Sequence, residues 1–195
     1  MPSPILILQG HPDGQAEHLC HALAEHYRRG AEQAGHQVEV LDIAKLDVPL
    51  LHSQRDWQEG APPEHLARAQ QAIAACRHLV LVFPLWLGDM PAMVKAFLEQ
   101  VLRPGFAFEY VEGNPLGHKG LKGRSARVVV TMGMPAAIYR HLYRAHSVKS
   151  LERNILGFVG FAPVRETLIG SVENLDEAAR QKWFDRLARL GAAAE

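Results

Sequence analysis

Three short segments of the chain hold residue types that could bind a ligand, and each follows a run of apolar residues. The first is a loop that leads into a helical pattern, the second combines proline with large apolar side chains, and the third is built from small residues and ends near a phenol. Their candidate binding residues are His11, Gln15, Ala16, Glu17 and His18, then Pro84, Leu85, Trp86 and Leu87, then Thr131, Met132, Gly133 and Tyr139. Because free backbone N–H groups at the start of a helix attract anions, the first segment predicts a phosphate site.

The second and third segments predict a flat aromatic ligand beside that phosphate. Trp86 and its neighbours supply an apolar wall, and Gly133 permits close approach of the backbone. A phosphate cradle beside such a wall fits a mononucleotide with a large ring system, so FMN is the predicted ligand. The alternative is that proline and glycine only mark turns after strands, with Trp86 capping the core. Neither GxGxxG nor GxxxxGK[ST] occurs, which argues against a dinucleotide fingerprint and a P-loop.

Three short apolar runs and two further candidates predict the strands that position these segments. Residues 5–8 and 79–83 are unbroken apolar runs, and residues 127–131 enclose the run Val128–Val130. Such runs are typical of strands covered on both faces of a parallel sheet. Residues 37–41 and 164–169 are weaker strand candidates. Parallel strands need crossover helices, so the alternation predicts a doubly wound α/β fold with helices on both faces. Ligands of such folds bind at the carboxyl ends of the strands, which is where the three segments lie.

Helical patterns fill the intervals between the strands. Apolar stripes are formed by Leu19, Leu23, Ala24 and Tyr27, by Leu66, Ala69, Ile73 and Cys76, and by Met93, Val94, Phe97, Leu98 and Val101. A longer helix is predicted from about 138 to 156, and a last one from 175 to 190 opened by Asp176. Residues 48–63 predict a functional lid or a partner contact, because long loops are uncommon in compact domains. Residues 1–195 are predicted to form a single domain.

Composition narrows the classes of function. The 195 residues contain 21 Lys+Arg and 21 Asp+Glu, and this balance argues against a general nucleic-acid binder or a membrane-surface protein. Two cysteines without CxxC spacing, and no apolar run long enough for a signal peptide or a bilayer span, predict a cytoplasmic protein with no membrane insertion.

His18 and His21 are one turn apart without HExxH or CxxC, so no metal is predicted and these histidines are expected on a solvated helix surface. Arg140, Arg144, Lys149 and Arg153 give one helical stretch a basic face, which could meet the extra phosphate of NADPH or only solvent.

The motifs GHPDG, FPLWLGDMPAMVKAFLEQV, GFAFEY, TMGMPAAIY and ILGFVGFAPVRETL carry a family resemblance over residues 5–170. At these motifs the sequence resembles the flavodoxin-like NAD(P)H:quinone oxidoreductase family, which includes DT-diaphorase, drug-activity modulators and potassium-efflux ancillary flavoproteins. The resemblance implies a non-covalent flavin (FMN, with FAD as a possibility) at the carboxyl edge of a 2-1-3-4-5 sheet, NAD(P)H as co-substrate, and a homodimer. The apolar residues Phe106, Phe108 and Tyr110, expected in an exposed loop, also favour an interface.

The resemblance also implies a role for each candidate residue. His11 and residues 15–18 would line the phosphate, and residues 84–87 would carry the isoalloxazine ring. Thr131, Met132, Gly133 and Tyr139 would face its pyrimidine edge. Tyr139 and His146, with His141 as the competitor of His146, would be the catalytic residues that stabilise charge on the reduced flavin.

The sequence departs from the family in the phosphate loop, where Ala16 and Glu17 replace hydroxyl and amide donors. A carboxylate within about 5 Å of a phosphate costs a few kcal/mol. Either Glu17 points outward, with Gln15, His18 and backbone amides binding the phosphate, or flavin affinity is reduced. The predicted function is an NAD(P)H-dependent flavin oxidoreductase that reduces quinones or similar flat acceptors by ping-pong hydride transfer. The alternative is a flavodoxin-like regulatory subunit ancillary to an ion-efflux system. A hydrolase is not indicated, since no GxSxG motif occurs.

Overall fold

The parallel sheet predicted from the apolar runs is present in the computed structural model, which describes residues 2–111 and 113–195. The strands among these residues are β1 Pro4–Gln9, β2 Gln37–Asp42, β3 His78–Pro84, β4 Phe108–Val111, β5 Asn114–Lys119, β6 Ser125–Thr131 and β7 Val164–Ile169. Five of them form a parallel sheet in the order β2-β1-β3-β6-β7. Counting only the strands of this sheet, the predicted order 2-1-3-4-5 is confirmed. The antiparallel hairpin of β4 and β5 lies between β3 and β6 in the chain, where the sequence predicted only a connecting loop.

Helices cover both faces of the sheet, as predicted. They are α1 Leu19–Gln33, α2 Gln54–Glu59, α3 Glu64–Ala75, α4 Ala92–Val101, α5 Ala136–His141, α6 His146–Ser150, α7 Gly157–Val159 and α8 Glu177–Ala193. Helices α3 and α4 pack on the face that holds Leu6 and Leu81, whereas α1 and α8 contribute to the apolar cluster around Ile7 and Val80. Asp176 caps α8 by accepting from the backbone N–H of Ala179 at 2.7 Å, which confirms the predicted start of that helix.

Two glycines allow α1 and α8 to touch backbone to backbone. A Cβ atom built on Gly30 would lie 2.0 Å from the carbonyl oxygen of Ala188, and one on Gly191 would lie 2.1 Å from that of Tyr27. Any side chain at these positions would push the helices apart, so the pair sets the close packing of α1 against α8.

The single helix predicted for residues 138–156 is wrong, because the chain turns between α5 and α6. Arg144 and Ala145 adopt left-handed backbone angles, with φ of 54° and 48°, and such residues end a right-handed helix. The turn is closed by the N–H of Ala145, which donates to the carbonyl of Tyr139 at 3.0 Å. A π-helical segment, Leu151–Leu156, then joins α6 to α7.

None of the helices within the described residues has both the length and the apolar character needed to cross a membrane.

A buried histidine lies at the opposite end of the sheet from the three candidate segments. His78 opens β3 and is 3% exposed, and its Nδ1 bonds to the Ser125 hydroxyl at 2.7 Å. Its Nε2 has no hydrogen-bond partner among the described residues. Burial, followed by the positive charges of Arg127 and Arg165, lowers the pKa of His78 to about 4.

We expect this histidine to make the protein less stable in mild acid. With a pKa of about 4 when folded and about 6.5 when unfolded, His78 binds more protons in the unfolded chain between these values. Its contribution to the free energy of unfolding is therefore complete above about pH 6.5 and declines as the pH falls toward 4. About 2 kcal/mol of this contribution is lost by pH 5. In urea unfolding at pH 7 and pH 5, His78→Gln should lose less stability on acidification than wild type. His52→Gln, which replaces an exposed histidine, is the control, and equal losses in wild type and His78→Gln would contradict this account.

Candidate functional site

Backbone hydrogen bonds bring the three predicted segments together at the carboxyl ends of β1, β3 and β6. The N–H of Gly10 donates to the carbonyl of Val82 at 2.7 Å, and the N–H of Leu85 donates to that of Thr131 at 2.7 Å. Across the junction, the ring of His11 meets the indole of Trp86 edge-on, with centroids 6.0 Å apart. The prediction that these segments share one edge of the sheet is confirmed.

The first segment is ordered by a stack of histidines. The imidazole of His11 lies 3.8 Å from that of His18, centroid to centroid and nearly parallel, and His21 is the third ring of the group. His21 also accepts a hydrogen bond from the backbone N–H of His18 at 3.1 Å. Burial, followed by the neighbouring His18 and His21, lowers the pKa of His11. The expectation that His18 and His21 lie on a solvated helix surface is wrong, because both are partly buried in this stack.

The carboxylate of Asp13 accepts two hydrogen bonds within this loop. One of its oxygens accepts from the backbone N–H of Gln15 at 2.9 Å, and the other accepts from the His18 ring at 2.8 Å. The His18 bond, followed by the Gln15 bond, lowers the pKa of Asp13. Gln15, Ala16 and Glu17 are exposed. The Gln15 N–H and the His18 ring, two groups predicted to bind a phosphate, are therefore bonded to an anion belonging to the chain.

A tight turn presents the indole of the second segment. The backbones of Trp86 and Asp89 exchange two hydrogen bonds, at 2.9 and 3.0 Å, across Leu87 and Gly88, whose φ values are 49° and 81°. Positive φ at both central positions defines a type I′ turn, in which a leucine costs about 1–2 kcal/mol. Trp86 is half exposed and Leu87 is fully exposed. The strained turn thus holds two large apolar side chains in solvent beside the phosphate loop, while Pro84 is buried and Leu85 is partly buried.

The third segment offers its backbone rather than its side chains. Thr131 and Met132 are buried, and the Thr131 hydroxyl meets the thiol of Cys20 at 3.2 Å. Gly133 is exposed, and a Cβ atom built on it would meet only a carboxylate oxygen of Glu173, at 3.7 Å. This open backbone can be approached closely by a flat ligand.

The two predicted catalytic residues lie at one turn but differ in exposure. Tyr139 is 2% exposed, and its hydroxyl lies 2.6 Å from that of Ser147 and accepts from the N–H of Val148 at 3.4 Å. His146 is exposed and lines a groove with Arg144 and Lys149 on the solvent side. The competitor His141 is exposed and lines a different pocket, beside Glu166.

Three residues of this region were not predicted as site residues. Asp13 stands within the quoted GHPDG motif, but its role depends on the position of His18, which spacing alone does not reveal. Gln9 ends an otherwise apolar strand, and this polar residue was a usable signal. It is 3% exposed, it accepts from the N–H of His11 at 2.9 Å, and its Nε2 has no partner among the described residues. Ser147 holds the Tyr139 hydroxyl and carried no signal in the sequence.

An apolar groove of about 630 Å³ lies between the long loop, α4 and the π-helical segment. Trp57 of the predicted lid and Phe158 face Phe108 across it, with ring centroids 5.9 and 4.8 Å from that of Phe108. The expectation that Phe106, Phe108 and Tyr110 form one exposed apolar surface is wrong for Phe108, which the hairpin folds into the core. Tyr110 is exposed and Phe106 is partly buried.

No group of three or more histidine, cysteine, aspartate or glutamate side chains is arranged to hold a metal ion within the part of the chain that the structure describes.

Sequence relatives carry the names of NAD(P)H and quinone oxidoreductases. The chain is 24% identical over 188 residues to an uncharacterised NAD(P)H oxidoreductase of Haemophilus influenzae, covering 94% of this chain and 92% of the relative. It is 29% identical over 175 residues to an FMN-dependent NADH:quinone oxidoreductase of Shewanella loihica, covering 84% and 85% of the two chains.

Solved structures share the fold at lower identity. An NAD(P)H:quinone oxidoreductase from Methanothermobacter marburgensis superposes with a TM-score of 0.83 at 24% identity over the whole of both chains. An FMN-dependent NADH-azoreductase from Bacillus anthracis, solved in complex with FMN, superposes with a TM-score of 0.74 at 16% identity over 98% of each chain.

The family model with the description flavodoxin-like fold matches residues 3–192, nearly the whole chain. The resemblance to NAD(P)H:quinone oxidoreductases drawn from the motifs is confirmed by the relatives. A parallel sheet of order β2-β1-β3-β6-β7 and this match together identify the chain as a member of the flavodoxin-like fold family.

Proposed function

We propose that this protein is an FMN-dependent oxidoreductase that uses NAD(P)H to reduce quinones or similar flat acceptors. The observation that carries the proposal is the meeting of an anion-binding loop with the half-exposed indole of Trp86 at the carboxyl edge of the sheet. The names of the relatives support the same chemistry. When bound, FMN would supply the hydride-transfer chemistry between NAD(P)H and the acceptor, while the protein orients the rings and the charges.

The residues present fit such a cofactor. The N–H of Gln15 and the ring of His18 can serve a phosphate, since they already serve the Asp13 carboxylate. The apolar wall of residues 84–87 suits a flat ring, and the exposed backbone at Gly133 has room for a ring edge. His11 supports the loop from beneath by accepting from the N–H of Asp13 at 3.2 Å. Ala16 and Glu17 contribute backbone, with their side chains in solvent.

The roles of Tyr139 and His146 stay predictions. In this structure the Tyr139 hydroxyl is hydrogen-bonded to Ser147 and so helps to position the turn between α5 and α6. Either hydroxyl can be the donor of that bond, so the Tyr139 proton is free for a ligand when Ser147 donates. His146 lies at the same turn and is exposed to solvent.

A regulatory role without turnover is less favoured, since the relatives are named as oxidoreductases.

We further propose that residues 1–195 act as one domain. The two free, buried cysteines agree with a reducing, cytoplasmic setting.

The decisive experiment mixes purified protein with FMN, NADH or NADPH, and a benzoquinone, and follows the loss of nicotinamide absorbance. We expect oxidation of NAD(P)H that depends on the protein, on added FMN and on the quinone. Heat-denatured protein with the same FMN controls for the reaction of free flavin. Absence of protein-dependent oxidation with either coenzyme would refute the proposal, and failure to take up FMN would favour the regulatory alternative.

Removing the charge of Asp13 should strengthen FMN binding. In Asp13→Asn the amide oxygen can still accept from Gln15, but the negative charge that competes with the phosphate is gone. We expect the Kd for FMN, measured by quenching of flavin fluorescence, to fall about tenfold. Riboflavin lacks the phosphate and is the matched control, so its Kd should stay the same in both proteins. Unchanged or weaker FMN binding by Asp13→Asn would show that Asp13 does not hold the phosphate position.

We also propose that the protein is a homodimer, with the apolar groove and the exposed Tyr110 as part of the interface. Tyr110 is 63% exposed and packs edge-on against Phe108, which lines the groove, at 5.3 Å between centroids. Sedimentation equilibrium at micromolar concentration should give twice the monomer mass. Tyr110→Lys should shift the mass toward the monomer. The melting temperature of the monomeric variant should stay close to that of monomeric wild-type protein, measured by dilution. A wild-type monomer at this concentration would exclude the dimer.

A further inference from the structure

We infer that a basic groove formed by α6 and the π-helical segment binds the 2′-phosphate of NADPH and so makes this coenzyme the preferred hydride donor. The basic groove is lined by Arg144, His146, Lys149, Ser150, Arg153 and Asn154. This inference rests on the proposed function, because it names which nicotinamide coenzyme the same site takes.

Uncompensated positive charge is the first argument. Arg144, Lys149 and Arg153 all line the groove, whereas no carboxylate does. None of the three forms an ion pair with any residue that the structure describes. The nearby Arg140 and Arg165, by contrast, are paired with Glu166 at 2.9 Å and with Glu195 at 3.3 Å. Three like charges in one groove repel each other, and a bound anion relieves that repulsion.

The donors of the groove suit a phosphate monoester. Such a group carries a charge of about −1.5 to −2 at pH 7 and three acceptor oxygens. Arginine presents a planar fork that matches phosphate oxygens, and lysine adds a point charge. The Ser150 hydroxyl accepts from the amide of Asn154 at 3.2 Å, which leaves its own proton free to donate into the groove. A volume of about 490 Å³ lies within the range of ligand pockets, about 300–1,000 Å³.

The position of the groove selects the coenzyme as the source of that phosphate. The groove begins at the turn between α5 and α6, which Tyr139 stabilises by two hydrogen bonds. Its carbonyl accepts from the N–H of Ala145 at 3.0 Å, and its hydroxyl lies 2.6 Å from that of Ser147. Tyr139 in turn lies on α5, which directly follows the open backbone at Gly133. We place the nicotinamide at that edge and the adenosine half along this segment, because the chain runs directly from Gly133 through α5 to the groove. The pyrophosphate is common to NADH and NADPH, whereas the dianionic monoester belongs to NADPH alone.

The kinetic test compares the two coenzymes with FMN-loaded protein and a benzoquinone. For the double variant Lys149→Gln/Arg153→Gln, the ratio of kcat/KM for NADPH to kcat/KM for NADH should fall about tenfold or more. The control is Arg140→Gln, which removes a nearby cation that is paired with Glu166 and lies outside the groove, and its ratio should match that of wild type. Equal losses with both coenzymes would place the pyrophosphate, not the 2′-phosphate, in the groove and would overturn the inference.

A binding test does not depend on turnover. By calorimetry, wild-type protein should bind adenosine 2′,5′-bisphosphate at least about tenfold more tightly than 5′-AMP, and the double variant should lose this difference. Equal affinities in wild type would refute the inference, as would binding of inorganic phosphate as tight as that of the bisphosphate. If neither coenzyme is oxidised at all, the proposed function fails, while the calorimetric comparison still decides whether the groove recognises a 2′-phosphate.

Discussion

The structure depends on the parallel hydrogen bonding of β1, β3 and β6, which ends all three strands at one edge. Each of these strands is buried on both faces, so the polar and aromatic residues that follow them can reach solvent only beyond the strand ends. The bonds from Gly10 to Val82 and from Leu85 to Thr131 continue this pairing past the regular strands. The loop with the histidine stack, the turn with Trp86 and the backbone of Gly133 are neighbours because of this register, and each would be isolated without it.

Patterns in the sequence were enough to predict the sheet and the location of the site. Unbroken apolar runs identify strands covered on both faces, and the rule that ligands bind at the carboxyl ends of strands then leads to His11, Trp86 and Gly133. The hairpin of β4 and β5 was missed because its residues show no clear alternation, and its packing depends on the contact of Phe108 with Trp57 and Phe158. Phe108 is therefore buried by tertiary packing, although its sequence neighbours suggested an exposed loop.

Other misses have a conformational cause. Leu87, Arg144 and Ala145 adopt left-handed backbone angles that only glycine, asparagine and aspartate usually signal. The turn at Arg144 and Ala145 interrupts a helical pattern that looked continuous, and it directs Tyr139 toward Ser147. The hydrogen-bond partner of Asp13 could not be predicted either, because nothing in the spacing of Asp13 and His18 indicates that their side chains meet. The zero net charge likewise conceals a separation, with carboxylates at the phosphate loop and unpaired cations in the basic groove.

The carboxylate that Asp13 places in its own loop has a consequence for how the protein meets its cofactor. If Asp13 holds the phosphate position, as proposed above, binding of a flavin phosphate would exchange one anion for another at the Gln15 N–H and the His18 ring. The free energy of loading would then be the difference between the binding of two anions by the same donors, and it would be smaller than the sum of the new contacts.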